Sequence, residues 1–145
     1  MPSFVHRERV RFGDLDAMRH VNNAVFLRYF ESARISYLGE LQVHDPVAEV
    51  EAGFGLIFAE CHIKYRSPVE FDEELDVALA ISDIRRSSFR VDFSMRVGER
   101  QCAEGYGVMV GFDYAERRAA ALPDDMRRRV EAEAARTSKP PPRPV

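Results

Sequence analysis

The 145-residue chain lacks the features that mark nucleic-acid-coating, disordered and membrane-spanning proteins. It has 21 basic and 24 acidic residues and a formal net charge of −3, so no basic excess attracts nucleic acid. No apolar run approaches the ~18 residues needed to cross a bilayer, and the N-terminal segment lacks the apolar core of a secretory signal. Together with 46% hydrophobic residues, these properties predict one globular domain in the cytoplasm, with no nucleic-acid partner and no membrane span.

Cysteine and histidine are also scarce. Cys61 and Cys102 stand far apart in separate strand-like segments, so we expect two reduced thiols rather than a disulfide. The four histidines never form an H-x-H or H-x-x-x-H pair, and Cys61 and His62 would point to opposite faces of a strand. We therefore expect no metal site and no other cofactor.

Common catalytic motifs are absent as well. None of the nine serines stands in a G-x-S-x-G elbow. The glycine pairs at 53–55 and 105–107 lack the third glycine and the following helix of a dinucleotide fingerprint, and there is no Walker-type lysine loop. The sequence therefore argues against a serine hydrolase and against a nucleotide-cofactor enzyme.

Five predicted strands and one long helix indicate an α+β fold. Aromatic and aliphatic residues recur at three- and four-residue steps over 23–40, which predicts a helix buried on nearly all sides. Strands are expected where apolar residues alternate between turn-like links, at 5–12, 56–66, 74–84, 88–97 and 101–114. Short links between the last four strands predict antiparallel neighbours, and a five-stranded sheet is wide enough to wrap the helix.

The other segments complete a single-domain prediction. A short helical turn is expected near 47–52, and a C-terminal helix from Pro123 to about Ala135. The domain is expected to span 1–136, followed by a disordered proline-rich tail at 137–145. Because the sheet edges would be best covered by a second copy, we expect a homodimer, or a homotetramer built from two dimers.

The segment before the long helix carries the residues best suited to chemistry. Asp14, Asp16 and His20 directly precede a helix N-terminus, whose unpaired N–H groups and partial positive charge can hold an oxygen on which negative charge develops. A carboxylate there can deprotonate water or attack an activated carbonyl. This arrangement suits hydrolysis of a thioester, because its carbonyl is electrophilic and a thiolate leaves readily.

Two blocks of the chain form a longer pattern. They are Phe12-Gly13-Asp14-x-Asp16, His20-Val21-Asn22-Asn23, Tyr29-x-Glu31 and Ala33-Arg34 in the first block, and Arg85-Arg86-Ser87-Ser88-Phe89 in the second. The pattern resembles the 4-hydroxybenzoyl-CoA thioesterase and YbgC-like acyl-CoA thioesterase branch of the hotdog fold. The resemblance implies a five-stranded antiparallel sheet wrapped around a central helix, chains joined in pairs, and active sites at the subunit interface.

The resemblance also implies roles for single residues. Asp16 would be the catalytic carboxylate, and a backbone N–H near Asn23 would polarise the carbonyl of an acyl-CoA substrate. Arg85 and Arg86, with the neighbouring Ser87, would contact the CoA phosphates. By composition alone, the two arginines fit a solvated turn equally well.

Local chemistry leaves other roles open. Asp14 is expected to bond the loop backbone and fix its shape. His20 is expected either to bond the loop or to act by proton transfer or by orienting water. Asn22 or Asn23 is expected to cap the helix.

Two rival functions are a hotdog hydratase-dehydratase acting on enoyl or 3-hydroxyacyl thioesters, and a non-catalytic acyl-CoA-binding protein. The hydratases resemble the same fold but typically carry a D-x-N-x-x-H-like arrangement, which Asp16-Ala-Met-Arg-His20 does not match. The segment 20–23 also differs from the hydroxybenzoyl-specific enzymes, which have an apolar residue and a proline-aromatic segment there. It resembles broader acyl-CoA thioesterases, so an acyl-CoA thioesterase is the preferred prediction.

Overall fold

The computed structural model describes residues 4–137. Its elements follow the chain as β1 (Phe4–Arg9), α1 (Asn23–Glu40), α2 (Pro46–Ala52), β2 (Phe54–Tyr65), β3 (Glu74–Ser82), β4 (Ser88–Val97), β5 (Arg100–Asp113), β6 (Arg118–Ala119) and α3 (Asp124–Thr137). Thr137 ends α3, and the rest of the expected tail lies outside the described residues. No helix between residues 4 and 137 is long and apolar enough to cross a membrane.

The strands form one antiparallel sheet in the order β1-β3-β4-β5-β2, with the two-residue β6 added to β5. The predicted α+β fold with five antiparallel strands is confirmed. The first strand ends at Arg9, before its expected end at Phe12, because the chain turns into a short 3-10 helix at Phe12–Asp14. There the Asp14 carboxylate, and not a neighbouring strand, accepts the Arg11 N–H at 3.0 Å.

The core lies between α1 and the concave face of the sheet. Alternate residues of β3 and β4 are buried against the helix, namely Leu75, Val77, Leu79, Ile81, Phe89, Val91, Phe93 and Met95. The Phe30 ring of α1 lies 4.5 Å from the Phe93 ring of β4, centroid to centroid. Full burial of such a side chain contributes roughly 1.5–3 kcal/mol, so packing of this face holds the helix in place.

The expectation that α1 is buried on nearly all sides is wrong for the single chain. Leu27 and Ile35 are 40% and 37% exposed, because the sheet covers only one side of the helix. The three-residue spacing of Arg28, Glu31 and Arg34 predicts a narrow polar stripe along α1, but Arg34 is buried. Its guanidinium lies 4.5 Å from the ring centroid of Phe58 in β2, and its Nε has no hydrogen-bond acceptor in the described part of the chain.

Both cysteines are free thiols, as expected. Cys102 is fully buried in β5, whereas Cys61 in β2 is half-buried. Burial raises the pKa of the Cys61 thiol, although the nearby Arg34 guanidinium acts in the opposite direction. The thiol form of Cys61 is therefore favoured.

Candidate active site

A closed loop carries the predicted acid to the N-terminus of α1. An isolated bridge pairs Leu15 with Val21, and the Asp16 N–H donates to the His20 carbonyl at 2.8 Å. Inside the loop, the Arg19 N–H donates to the Asp16 carbonyl at 3.0 Å, and Arg19 has a φ of 64°, in the left-handed region. This closed turn holds Asp16 and His20 side by side.

The Asp16 carboxylate uses only one of its oxygens within the protein. Its Oδ1 accepts the Met18 N–H at 2.9 Å and a longer bond from the His20 N–H at 3.4 Å. Its Oδ2 makes no hydrogen bond with any residue between 4 and 137. The loop therefore fixes the direction of the carboxylate and leaves one oxygen able to accept a proton from a bound molecule.

Asn22 accepts two of the first three N–H groups of α1, and the third has no partner within residues 4–137. Asn22 is the N-cap: its side chain accepts the Ala24 N–H at 2.9 Å, and its carbonyl accepts the Val25 N–H at 2.8 Å. A cap was expected at Asn22 or Asn23, and the structure shows it at Asn22. The N–H of Asn23 has no acceptor among the described residues, so it can donate to a bound oxygen.

Asp14 ties the loop to the helix. Its buried Oδ2 accepts the Tyr29 hydroxyl at 2.6 Å, the Arg11 N–H at 3.0 Å and the Arg11 Nε at 3.4 Å. Burial alone would raise the Asp14 pKa, but the bonds from Tyr29 and Arg11 outweigh it, so the pKa lies below the usual range. The Asp14 carbonyl also accepts the Asn22 N–H at 2.9 Å. These bonds confirm the expected structural role.

Two cavities meet at the loop. The helix-mouth cavity, about 250 Å³, is lined by Asp16, His20 and Asn23 together with Tyr65 and Arg66 of the opposite wall. The structure thus brings the three predicted catalytic residues to one cavity. A larger space of about 930 Å³, the Phe12–Phe71 cleft, lies against the same loop. Asp16 and His20 line both.

Tyr65 belongs to the site and was not anticipated from the sequence. Its hydroxyl donates to the Asn23 carbonyl at 3.0 Å, and its ring packs edge-on against Phe26, with centroids 5.3 Å apart. The contact braces the first residue of α1 from the end of β2. No local motif marks Tyr65, because its position depends on the register of β2 against β5.

The second block of predicted residues lies at the other end of the sheet. The Ser87 carbonyl accepts the Gly111 N–H at 2.8 Å, and Gly111 pairs with Leu56, near the start of β2. Tyr65, beside the helix mouth, ends the same twelve-residue strand, which spans roughly 35 Å at about 3.3 Å per residue. Within one chain, the Arg85–Ser87 turn is therefore remote from Asp16.

The Arg85–Ser87 turn is held in place by the C-terminal helix. The Arg127 guanidinium of α3 donates to the carbonyls of Arg85 and Arg86 at 2.6 and 2.9 Å. The exposed Arg85 side chain lies 3.3 Å from the Asp83 carboxylate and lines a cleft of about 380 Å³ with Arg90.

No group of three or more His, Cys, Asp or Glu side chains within residues 4–137 is arranged to hold a metal ion.

Comparison with known proteins agrees with this architecture. Residues 10–130 match the model of the thioesterase-like superfamily. A 1,4-dihydroxy-2-naphthoyl-CoA hydrolase from Synechococcus sp. is 35% identical over 77 residues, which are 53% of this chain and 52% of that protein. A thioesterase-superfamily structure from Jannaschia sp. has a TM-score of 0.80 at 28% identity, covering 92% of this chain and 84% of that chain.

A 1,4-dihydroxy-2-naphthoyl-CoA thioesterase from Synechocystis has the same TM-score, 0.80, at 22% identity, covering 88% of this chain and 95% of that chain. At 22% identity, the similarity to this structure shows a shared fold and nothing further. The match over residues 10–130 covers most of the chain, including α1 and the five main strands. The chain therefore belongs to the thioesterase-like superfamily, and the predicted hotdog fold and the predicted class of thioester hydrolase are confirmed.

Proposed function

We propose that this protein is an acyl-CoA thioesterase, which hydrolyses an acyl-CoA to CoA and a free carboxylic acid. One observation carries the proposal: Asp16 and the N–H of Asn23 belong to the same cavity, and each has an atom without a partner in the described chain. A base and an oxyanion donor are the two parts that thioester hydrolysis needs. The CoA thioester named for the Synechococcus relative supports the same class of substrate.

In the proposed reaction, the Asn23 N–H donates to the thioester carbonyl oxygen. Asp16 Oδ2 takes a proton from water, whose oxygen bonds to the carbonyl carbon. The electron pair of the broken C–S bond leaves with sulfur, and the CoA thiolate takes up a proton. Alternatively, an Asp16 oxygen bonds to the carbonyl carbon while the C–S bond breaks and its electron pair leaves with sulfur. Water then hydrolyses the resulting anhydride to the free acid and regenerates Asp16. His20, beside Asp16 in the same cavity, is proposed to orient the water or move the proton.

The CoA moiety is proposed to reach the Arg85–Ser87 turn of a second protomer. Arg85 and Arg86 suit the charge of CoA phosphates, with Ser87 as a further hydrogen-bond donor. The turn lies at the opposite end of β2 from Asp16 in the same chain. A twofold axis that pairs two β2 strands antiparallel would place the Asp16 end of one protomer beside the Arg85 end of the other.

Three features of β2 and α1 support such a homodimer. β2 is an edge strand of twelve residues, and a long open edge is a ready template for pairing with another chain. Leu27 and Ile35 are large apolar side chains that remain exposed on the open side of α1. The Nε of the buried Arg34 lacks an acceptor in the described chain, which a partner chain could supply. Dimers of dimers are the proposed higher assembly.

The test is release of free thiol from a panel of acyl-CoAs by wild type and Asp16→Asn. Loss of a positioned base is expected to lower kcat by roughly 10² to 10⁴. Asp124→Asn, an exposed aspartate at the start of α3, is the matched control and is expected to keep full activity. Circular dichroism would verify that both variants are folded.

Full hydrolysis of every accepted acyl-CoA by Asp16→Asn would overturn the role of Asp16. Loss of crotonyl-CoA absorbance without thiol release would indicate the hydratase reaction instead. Tight binding of acyl-CoA by wild type without any turnover would indicate a non-catalytic binding protein. Either result would replace the proposed function.

A further inference from the structure

The Phe12–Phe71 cleft exposes apolar side chains that have no role in the proposed reaction. Phe12, Met18 and Phe71 are 79%, 72% and 54% exposed, and the two rings pack edge-on with centroids 6.2 Å apart. Scattered apolar side chains are ordinary on a protein surface. A contiguous cluster rimmed by charged residues, here Arg19 and Glu70, marks a binding surface.

The cleft is continuous with the helix-mouth cavity through the Asp16 loop. Asp16, Met18 and His20 line both spaces. A thioester with its carbonyl at Asp16 can therefore extend in two directions. One direction leads past Tyr65 and Arg66, and the other passes over Met18 toward the two phenylalanine rings.

We propose that the Phe12–Phe71 cleft binds the acyl group, and that the preferred substrates carry an aliphatic chain well longer than butyryl. This inference rests on the proposed thioesterase function and names its substrate class. Leu15 and Met18 add aliphatic surface to the two rings. The flexible Met18 side chain can follow a chain of variable shape.

The size of the cleft favours a chain over a small acyl group. Its volume of about 930 Å³ lies at the upper end of the usual range of ligand pockets, so acetyl and butyryl groups would leave most of it empty. Each methylene that becomes fully buried strengthens binding by up to about fourfold. We therefore expect kcat/KM to rise at least tenfold between butyryl-CoA and decanoyl-CoA in the wild-type protein.

The first experiment compares kcat/KM for decanoyl-CoA and butyryl-CoA in Phe12→Ser and Phe71→Ser. Each substitution is expected to lower the decanoyl-to-butyryl ratio by about tenfold, because several methylenes lose apolar contact. Val47→Ser is the matched control, since Val47 is 87% exposed and lies on α2. An unchanged ratio in both phenylalanine variants would overturn the inference while leaving the thioesterase function intact.

A binding experiment separates the inference from catalysis. The chain contains no tryptophan, so Phe71→Trp creates a single fluorescent reporter in the cleft. Titration with the non-hydrolysable thioether S-decyl-CoA is expected to shift its emission to the blue, whereas CoA alone and the control Val47→Trp give no shift. A shift without turnover by wild type would refute only the thioesterase function, and no shift would refute the acyl cleft.

Size-exclusion chromatography with light scattering tests whether a second copy of the chain, and not an acyl group, covers the cleft. If Phe12→Ser or Phe71→Ser converts the oligomer into a smaller species, the cluster is a contact between subunits and the acyl cleft is overturned. Unchanged mass together with a lower decanoyl-to-butyryl ratio supports the inference.

Discussion

The Tyr29 hydroxyl donates a 2.6 Å hydrogen bond to the Asp14 carboxylate, and both groups are buried. The bond joins the second turn of α1 to the loop that carries Asp16. Burial and the bond to Asp14 together raise the pKa of Tyr29, so the phenol stays a donor at neutral pH. Since a hydrogen bond to a charged group contributes about 1.5–3 kcal/mol, this contact is a main anchor of the active-site loop.

Removal of the Tyr29 hydroxyl should destabilise the protein. Tyr29→Phe leaves a buried carboxylate without one donor, and we expect the free energy of unfolding to fall by about 1.5–3 kcal/mol. Urea unfolding followed by circular dichroism measures the change. Tyr114→Phe removes a hydroxyl that makes no hydrogen bond in the described chain and should change stability by less than about 0.5 kcal/mol. Equal effects of the two substitutions would contradict the anchoring role.

The acid sensitivity of folding should depend on Asp14. The pKa of this carboxyl is lowered in the folded state, so its ionisation stabilises the fold above the unfolded value near 3.9 and this contribution is lost as pH falls through the folded pKa. The stability difference between wild type and Asp14→Asn should therefore be largest at pH 7 and shrink toward pH 3. Urea unfolding at both pH values measures it.

The control for this pH experiment is Glu51→Gln, at an exposed carboxylate of α2 that makes no hydrogen bond in the described chain. Its stability difference from wild type should stay nearly constant between pH 7 and pH 3. A difference for Asp14→Asn that also stays constant would show that the ionised form of Asp14 gives no special stabilisation.

Local patterns were enough to predict the elements with strong periodicity. The sequence predicts α1 over 23–40 and β4 over 88–97, and in the structure each element begins and ends at these residues. In α1, the apolar steps and the Asn22 cap agree on the same start. In β4, strict alternation from Phe89 to Val97 leaves one register that buries the apolar face.

Features that depend on distant strands were not predictable in this way. Arg34 was expected in the polar stripe of α1, but Phe58 of β2 covers its guanidinium. Asp16, His20 and Asn23 lie within eight positions of each other, so one loop could be predicted to gather them. Tyr65 reaches Asn23 only through the pairing of β2 with β5.

Two glycines should respond oppositely to alanine. A Cβ on Gly105 would lie 1.8 Å from the His62 carbonyl oxygen, which is backbone of the neighbouring strand. Gly105→Ala must therefore disturb the β2–β5 pairing, and we expect a loss of more than about 3 kcal/mol or failure to fold. A Cβ on Gly39 would meet nothing within 4 Å.

Gly39 lies inside the last turn of α1, where alanine is intrinsically the better helix former. Gly39→Ala should raise the free energy of unfolding by about 0.5–1 kcal/mol. Thermal and urea unfolding compare the two variants with wild type. Tolerance of Ala at position 105 would show that β2 can move away from β5 at little cost, which the close backbone contact argues against.

Heterodimers should recover activity if the active site is built from two protomers. Asp16→Asn lacks the proposed base, and the double variant Arg85→Ala/Arg86→Ala lacks the proposed phosphate contacts. The double variant should lose at least about tenfold in kcat/KM, as expected for hydrogen bonds to charged groups. When the two variants are unfolded, mixed in equal amounts and refolded, half of the dimers carry one intact site, so about a quarter of wild-type activity should return.

The control mixture pairs Asp16→Asn with a triple variant that combines Asp16→Asn, Arg85→Ala and Arg86→Ala. Neither chain supplies Asp16, so the control should recover nothing. Thiol release at acyl-CoA concentrations below KM measures activity, and native mass spectrometry counts the heterodimers. The twofold pairing of β2 edges is the arrangement that would bring Asp16 of one protomer beside the Arg85–Ser87 turn of the other. Abundant heterodimers without recovered activity would therefore mean that these two regions do not form a shared site.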